Sequence, residues 1–137
     1  MFTYERKAHY HETDQMGVIH HANYVKWMEE ARVEFMDELG LSYKAMEEAG
    51  IVSPVTGLEL DYKRPIAFDE WVSIRLHVLK YTGVSLEVAY EIRNATQDTL
   101  AARASSRHCF LKDGKLVSLK KLLPALDENL RANMATE

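Results

Sequence analysis

The chain has 137 residues, of which 47% are hydrophobic and 28% charged. That length suits one domain of roughly 100–150 residues, able to hold a core without disulfides or a structural metal, and the composition excludes intrinsic disorder as the main state. With 17 basic and 21 acidic residues the net charge is −4, which argues against broad binding of nucleic acid or anionic lipid, and no apolar run reaches the roughly 20 residues of a membrane span.

Residues 1–10 alternate, with Tyr4, Arg6, Ala8 and Tyr10 on one side and Glu5, Lys7, His9 and His11 on the other. The pattern predicts a rather polar strand. The same residues lack the apolar stretch of a signal peptide. Thr13-Asp14-Gln15-Met16-Gly17 follows as a turn. From Asn23 to Leu39 the period changes. Tyr24, Met28, Ala31, Phe35 and Leu39 recur at spacings of three and four, and Val25, Trp27, Val33 and Met36 widen the apolar surface. The spacing predicts a helix of about four turns, buried on more than one side, with Asn23 as N-cap and Gly40 as a left-handed stop. A shorter helix is predicted from Ser42 to Gly50.

From Pro54 onward the pattern is that of strands. Leu58, Leu60 and Tyr62 alternate with charged residues, as do Val72, Ile74, Leu76 and Val78 with polar ones, then Leu86, Val88, Tyr90 and Ile92. Leu100, Ala102 and Ala104 begin a strand that reaches Leu111. Asp113-Gly114 is a hairpin signal, and Leu116 to Leu119 closes the series. Successive strands without intervening helices predict an antiparallel sheet with one apolar face. The long helix needs a partner surface, and that face supplies it. The predicted class is therefore α+β, a curved antiparallel sheet wrapped around one long central helix, in a single domain over residues 1–137. After Pro124, residues Ala125 to Met134 are expected to form a short surface helix or to fray.

The densest polar cluster runs from His9 to Asn23 and holds four of the six histidines. It lies where the first strand meets the long helix. A helix N-terminus offers unpaired N–H groups and the positive end of the dipole, which stabilise charge developing on a carbonyl oxygen. Asp14, on a loop loosened by Gly17, is placed to fold back over that end. A carboxylate beside an oxyanion site near the His21 backbone N–H is what acyl transfer needs. Asp14 also suits a turn former or helix cap. Glu12 reads as a solvated edge residue. His9, His11 and His21 form a conceivable zinc set, but no cysteine or carboxylate completes it. Adjacent His20 and His21 are expected to point different ways. Cys109, the single cysteine, excludes an internal disulfide and reads as an inert strand thiol, so a reduced, cytoplasmic setting is expected. No phosphate-binding glycine loop, G-x-S-x-G elbow or Rossmann fingerprint is present.

The run from Thr13 to Tyr24, Thr-Asp-Gln-Met-Gly-Val-Ile-His-His-Ala-Asn-Tyr, resembles the active-site signature of the 4-hydroxybenzoyl-CoA thioesterase family. It is closest to the short-chain acyl-CoA thioesterase branch associated with the Tol-Pal system. Glu30-Ala31-Arg32 and Tyr62-Lys63-Arg64-Pro65 resemble that branch as well. The resemblance implies a hotdog fold and hydrolysis of a small acyl-CoA or acyl-carrier-protein thioester, without metal or organic cofactor. It implies Asp14 as nucleophile or general base. His21 matches a histidine of the branch, and its backbone N–H falls where the family polarises the thioester carbonyl. Gly17, Val18, His20, Asn23 and Tyr24 shape the substrate site; position 20, often Tyr in relatives, is His here. Lys63 and Arg64, or Arg103, Arg107 and Lys112, are candidates for the coenzyme A phosphates, with solvated strand-end charges as the plainer reading. A homodimer or homotetramer with sites at the subunit junction is implied. A non-catalytic acyl-CoA-binding module and a hotdog enoyl-CoA hydratase or dehydratase are the alternatives.

Overall fold

The computed structural model describes residues 2–40 and 42–134. In chain order, β1 is Phe2–Lys7, a 3-10 turn covers Tyr10–Glu12, α1 is Asn23–Glu38 and α2 is Tyr43–Glu48. Then come β2 (Ile51–Val52), β3 (Val55–Tyr62), β4 (Trp71–Tyr81), β5 (Ser85–Asn94), β6 (Thr99–Cys109), β7 (Leu111–Lys112) and β8 (Lys115–Leu116). Two helices follow, α3 (Leu119–Leu122) and α4 (Pro124–Ala132).

Five strands form one sheet in the order β1-β4-β5-β6-β3, with every neighbouring pair antiparallel. Register shifts at Val78/Lys80 and Ile92/Arg93 interrupt the two central ladders, and irregularities of this kind bend a sheet. The alternation in the sequence is realised in the middle strands. Val72, Ile74, Leu76 and Val78 of β4 and Leu86, Val88, Tyr90 and Ile92 of β5 are all buried. Together with Trp27, Met28, Ala31, Phe35 and Met36 of α1 they form one core cluster. Burying such side chains is worth roughly 1.5–3 kcal/mol each before entropy is charged against it.

Five expectations are corrected. First, Val25 and Val33, counted toward the widened apolar surface of α1, are exposed at 38% and 37%; the buried residues Tyr24, Trp27, Met28, Ala31, Phe35 and Met36 share the stripe that faces the sheet. Second, Leu58 and Tyr62 are exposed at 40% and 44%, because β3 is an edge strand and no described strand pairs with its outer side. Third, the segment after the Asp113-Gly114 turn does not extend the main sheet. β7 and β8 pair with each other and with β2 in a separate small sheet, and Leu119 begins a helix. Fourth, α4 is no mere surface tail. Leu126 and Leu130 are buried, and buried Asp127 accepts a hydrogen bond from the Tyr81 hydroxyl and another from Arg131 Nε. Fifth, Asn23 is the first residue of α1, not its N-cap; Ala22 holds the cap position in a helical conformation. The Asn23 amide is drawn elsewhere, donating to the Glu12 carbonyl at 2.9 Å. Ser42 does cap α2, accepting from the Ala45 N–H at 3.1 Å.

Candidate active site

The loop that carries Asp14 is closed by its own backbone. The Asp14 N–H donates to the Val18 carbonyl (2.8 Å) and the Gly17 N–H to the Asp14 carbonyl (3.1 Å). Asp14 Oδ1 accepts from the Met16 N–H at 2.8 Å. Gly17 sits at φ +80°, in the left-handed region where a side chain is strained. Asp14 is thus a turn former and a cavity residue at once. Ile19 anchors the far side of the loop through its N–H to the Ile66 carbonyl, 2.8 Å.

The start of α1 is tied to this loop. The His20 N–H donates to the Glu12 carbonyl (2.8 Å), the Asn23 N–H to the His20 carbonyl (3.0 Å) and the Tyr24 N–H to the His21 carbonyl (3.2 Å). The Ala22 N–H donates to His20 Nδ1 at 3.2 Å. Among the described residues the His21 N–H takes no partner.

A cavity of about 300 Å³ lies against this junction. Asp14, Val18, His21, Tyr24, Lys63 and Arg64 line it, with Met16, Ile19, Tyr62 and Pro65. Gly17, His20 and Asn23 do not line it. Gly17 shapes the turn, Asn23 braces Glu12, and the His20 ring stacks on the His21 ring at 4.4 Å between centroids. The expectation that His20 and His21 diverge is therefore corrected: the bend before the helix brings the rings together. Tyr62, not named as a site residue from the sequence, donates its hydroxyl to the His21 carbonyl at 2.8 Å and packs edge-on against Tyr24 at 5.1 Å. Its signal in the sequence is the Tyr62-Lys63-Arg64-Pro65 run.

Burial, and then the neighbouring Tyr62, push the Tyr24 hydroxyl up to about 12; burial also raises Tyr62. Both remain neutral near pH 7, and Asp14 is the one carboxylate among the residues that line this cavity. Lys63 pairs with Asp61 at 2.7 Å, and Arg64 has no ion pair among the described residues. Arg103 lines a different groove, Arg107 pairs with Glu59 (3.2 Å), and Lys112 belongs to the β2-β7-β8 sheet; none of the three lines the Asp14 cavity.

Glu12 is not a solvated edge residue. It is 5% exposed and accepts from Arg6 Nη2 (2.8 and 2.9 Å), the His9 N–H (2.8 Å) and the Trp27 indole (2.9 Å). Burial alone would raise its pKa, but those donors outweigh it and hold the carboxyl below its ordinary value. Arg6 in turn reaches Glu30 at 2.8 Å, and Tyr4 donates to the same carboxylate. This network seats the helix start against β1. The zinc set of His9, His11 and His21 is not assembled among the described residues. His9 and His11 gather with Glu12 instead, whose oxygens are already taken by Arg6 and Trp27, while His21 lines the cavity.

A family model described as the Thioesterase-like superfamily matches residues 8–132. Among solved structures, the chain is similar to the DHNA-CoA thioesterase from Staphylococcus aureus, with 38% identity, a TM-score of 0.91 and 95% of this chain and 88% of that one covered. It is similar to the hypothetical protein AQ1494 from Aquifex aeolicus, with 31% identity, a TM-score of 0.85 and 92% and 99% of the two chains covered. The acyl-CoA thioester hydrolase YbgC of Escherichia coli O157:H7 is 28% identical over 100 residues, covering 73% of this chain and 75% of that protein. Matched over nearly its whole length and sharing this architecture, the chain belongs to the thioesterase-like superfamily, has the hotdog fold and is a thioester hydrolase.

Proposed function

We propose that the chain hydrolyses the thioester of a small acyl-CoA to a free acid and coenzyme A, with Asp14 and the His21 backbone N–H as the reacting pair. The observation that carries this reading is that the Asp14 carboxylate and the start of α1 line one cavity. The Met16 N–H holds Oδ1 of Asp14 and leaves Oδ2 free to act. Oδ2 either attacks the thioester carbonyl carbon or takes a proton from the water that does. In both routes negative charge gathers on the carbonyl oxygen, where the unengaged His21 N–H and the helix dipole stabilise it. The tetrahedral intermediate then expels the thiolate. If Asp14 is the nucleophile, the resulting mixed anhydride is opened by water. Thioesters lack much of an amide's resonance stabilisation, so no metal is needed to activate the carbonyl.

Lys63 and Arg64, on the cavity rim, are positioned to meet the anionic carrier, and the relatives' acyl-CoA and DHNA-CoA substrates support coenzyme A in that role over acyl-carrier protein. Val18 and Tyr24 supply the apolar wall for a small acyl group, in a cytoplasmic setting. The open β3 edge, with exposed Val55, Leu58 and Tyr62, supports a homodimer or a dimer-built homotetramer. Thiol release from a panel of acyl-CoA esters tests the reading. Wild-type protein is expected to release free thiol and Asp14→Asn to lose at least about a thousandfold in kcat while melting as the wild type does. Binding without turnover in the wild type would instead establish the non-catalytic module, and hydration of enoyl-CoA without thiol release the hydratase.

A further inference from the structure

A second cavity, of about 340 Å³, opens between α1, α2 and the chain leading into β3, and shares no lining residue with the Asp14 cavity. Arg32 lines it while only 7% exposed. Its Nε donates to the Tyr43 hydroxyl at 3.0 Å and its Nη1 to the Tyr90 hydroxyl at 3.1 Å. Burial raises the Tyr43 pKa, against the pull of Arg32, so this hydroxyl is neutral near pH 7. Behind Tyr90, the hydroxyls of Tyr90 and Ser106 lie 2.6 Å apart, and Ser106 lies 2.7 Å from His108 Nε2. Burial, and then repulsion from Arg32, depress the His108 pKa to about 4, so the ring too is neutral.

The groups that touch the Arg32 guanidinium in this network are hydroxyls, not carboxylates. No carboxylate lies within ion-pair distance of it among the described residues. A buried charge is costly unless it is paired, and the described residues account for only two of the guanidinium's five N–H donors. Tyr43 accepts from Arg32 and keeps its own O–H to donate.

We propose that this cavity is an anion-recognition site in which Arg32 and the Tyr43 hydroxyl bind the carboxylate of a small organic acid. A planar carboxylate matches the guanidinium fork, and Val33, Met46 and Ile51 offer an apolar surface to its hydrocarbon body. Glu29 and Glu47 line the same cavity but are exposed. Their charges are weakened by water at the mouth, whereas the buried cation acts at contact. They disfavour polyanions such as the coenzyme A phosphates and leave a monocarboxylate as the fitting ligand.

The carboxylate has two possible sources. One is a free acid, the class of product that thioester hydrolysis releases. The other is the tail of a carboxylated acyl group. The two cavities sit at opposite ends of edge strand β3, roughly 25 Å apart along it, so such a tail must come from the Asp14 site of a second copy. Antiparallel pairing of two β3 edges brings the Tyr62 end of one copy beside the Pro54 end of the other. The free-acid source stands without the hydrolase reading; the acyl-tail source rests on it.

Calorimetric titration of the intact chain with benzoate, its neutral isostere benzamide and inorganic phosphate tests the site without turnover, so its failure is separable from failure of the hydrolase reading. Benzoate is expected to bind saturably and the other two not. Arg32→Gln should weaken benzoate about tenfold or more, since it removes a charge-assisted contact. Tyr43→Phe should weaken it several-fold, and Asp14→Asn should leave it unchanged. Arg32→Lys, which keeps a cation but not the fork, stands in if Arg32→Gln fails to fold, and should also bind more weakly. Turnover of succinyl-CoA against butyryl-CoA separates the sources. For an acyl tail, Arg32→Gln lowers kcat/KM for succinyl-CoA alone, and co-expressed Asp14→Asn and Arg32→Gln chains regain succinyl-CoA hydrolysis, because one of the two shared sites then carries neither change. For a free acid, the ratio of the two substrates does not move. Benzoate binding that follows Asp14 and ignores Arg32, or no carboxylate-dependent binding together with an unmoved substrate ratio, overturns the proposal.

Discussion

Glu12 shows how much one side chain can hold at this site. Its carboxylate accepts from Arg6, the His9 N–H and Trp27, and its backbone carbonyl accepts from the His20 N–H and the Asn23 amide. Glu12→Ala leaves the Arg6 charge and the indole N–H short of a partner. It should cost about 3 kcal/mol in urea unfolding. Because its native pKa lies below the ordinary value, Glu12 stabilises the fold above the unfolded-state pKa and loses that contribution as pH falls through the native one. His108 acts in the same direction at higher pH. Its pKa drops from 6.5 to about 4 on folding, so below about pH 6.5 the unfolded chain binds a proton that the native chain refuses. Stability should then fall by roughly 1.4 kcal/mol per pH unit down to about pH 4. Urea midpoints measured from pH 7 to 4 should show this slope, and His108→Gln should flatten it.

At the scale of elements, the Asp14 loop and the start of α1 are hydrogen-bonded into one piece. Asn23→Ala breaks the link from the first helical residue to the Glu12 carbonyl without touching substrate. It should lower kcat by about tenfold with the melting temperature shifted by only a few degrees, as thiol-release kinetics and calorimetry would show together. The β7–β8 hairpin depends on Asp113 and Gly114, at φ +53° and +75°. Two positive values in succession are what the tight turn between those strands demands. Gly114→Ala meets no neighbouring atom, so its cost is backbone strain alone, about 1–2 kcal/mol in chemical denaturation.

For the whole molecule, the proposed assembly turns on the open side of β3. An edge strand with apolar residues exposed is a pairing site unless something blocks it. Leu58→Lys puts a charge on that edge and should shift the particle measured by light scattering toward the monomer, with specific activity falling on dilution. A wild-type protein that is monomeric at micromolar concentration and fully active would show that the edge has no part in function.

Local pattern sufficed for the α+β class, the long helix after Asn23 and the alternating middle strands, because helix period, strand period and turn chemistry are written in neighbouring residues; the run from Thr13 to Tyr24 spoke only through its family resemblance. Burial of Glu12 and Arg32 was not legible, since a polar residue is buried only when donors from distant segments converge on it: Arg6 and Trp27 for one, Tyr43 and Tyr90 for the other. Tyr62 entered the site for the same reason, carried there from the end of β3, 41 positions from the carbonyl it binds. By itself the sequence determined the fold class, the long helix and the middle strands; only the tertiary structure decided which polar groups are desolvated together, because desolvation depends on what packs across the chain and not along it.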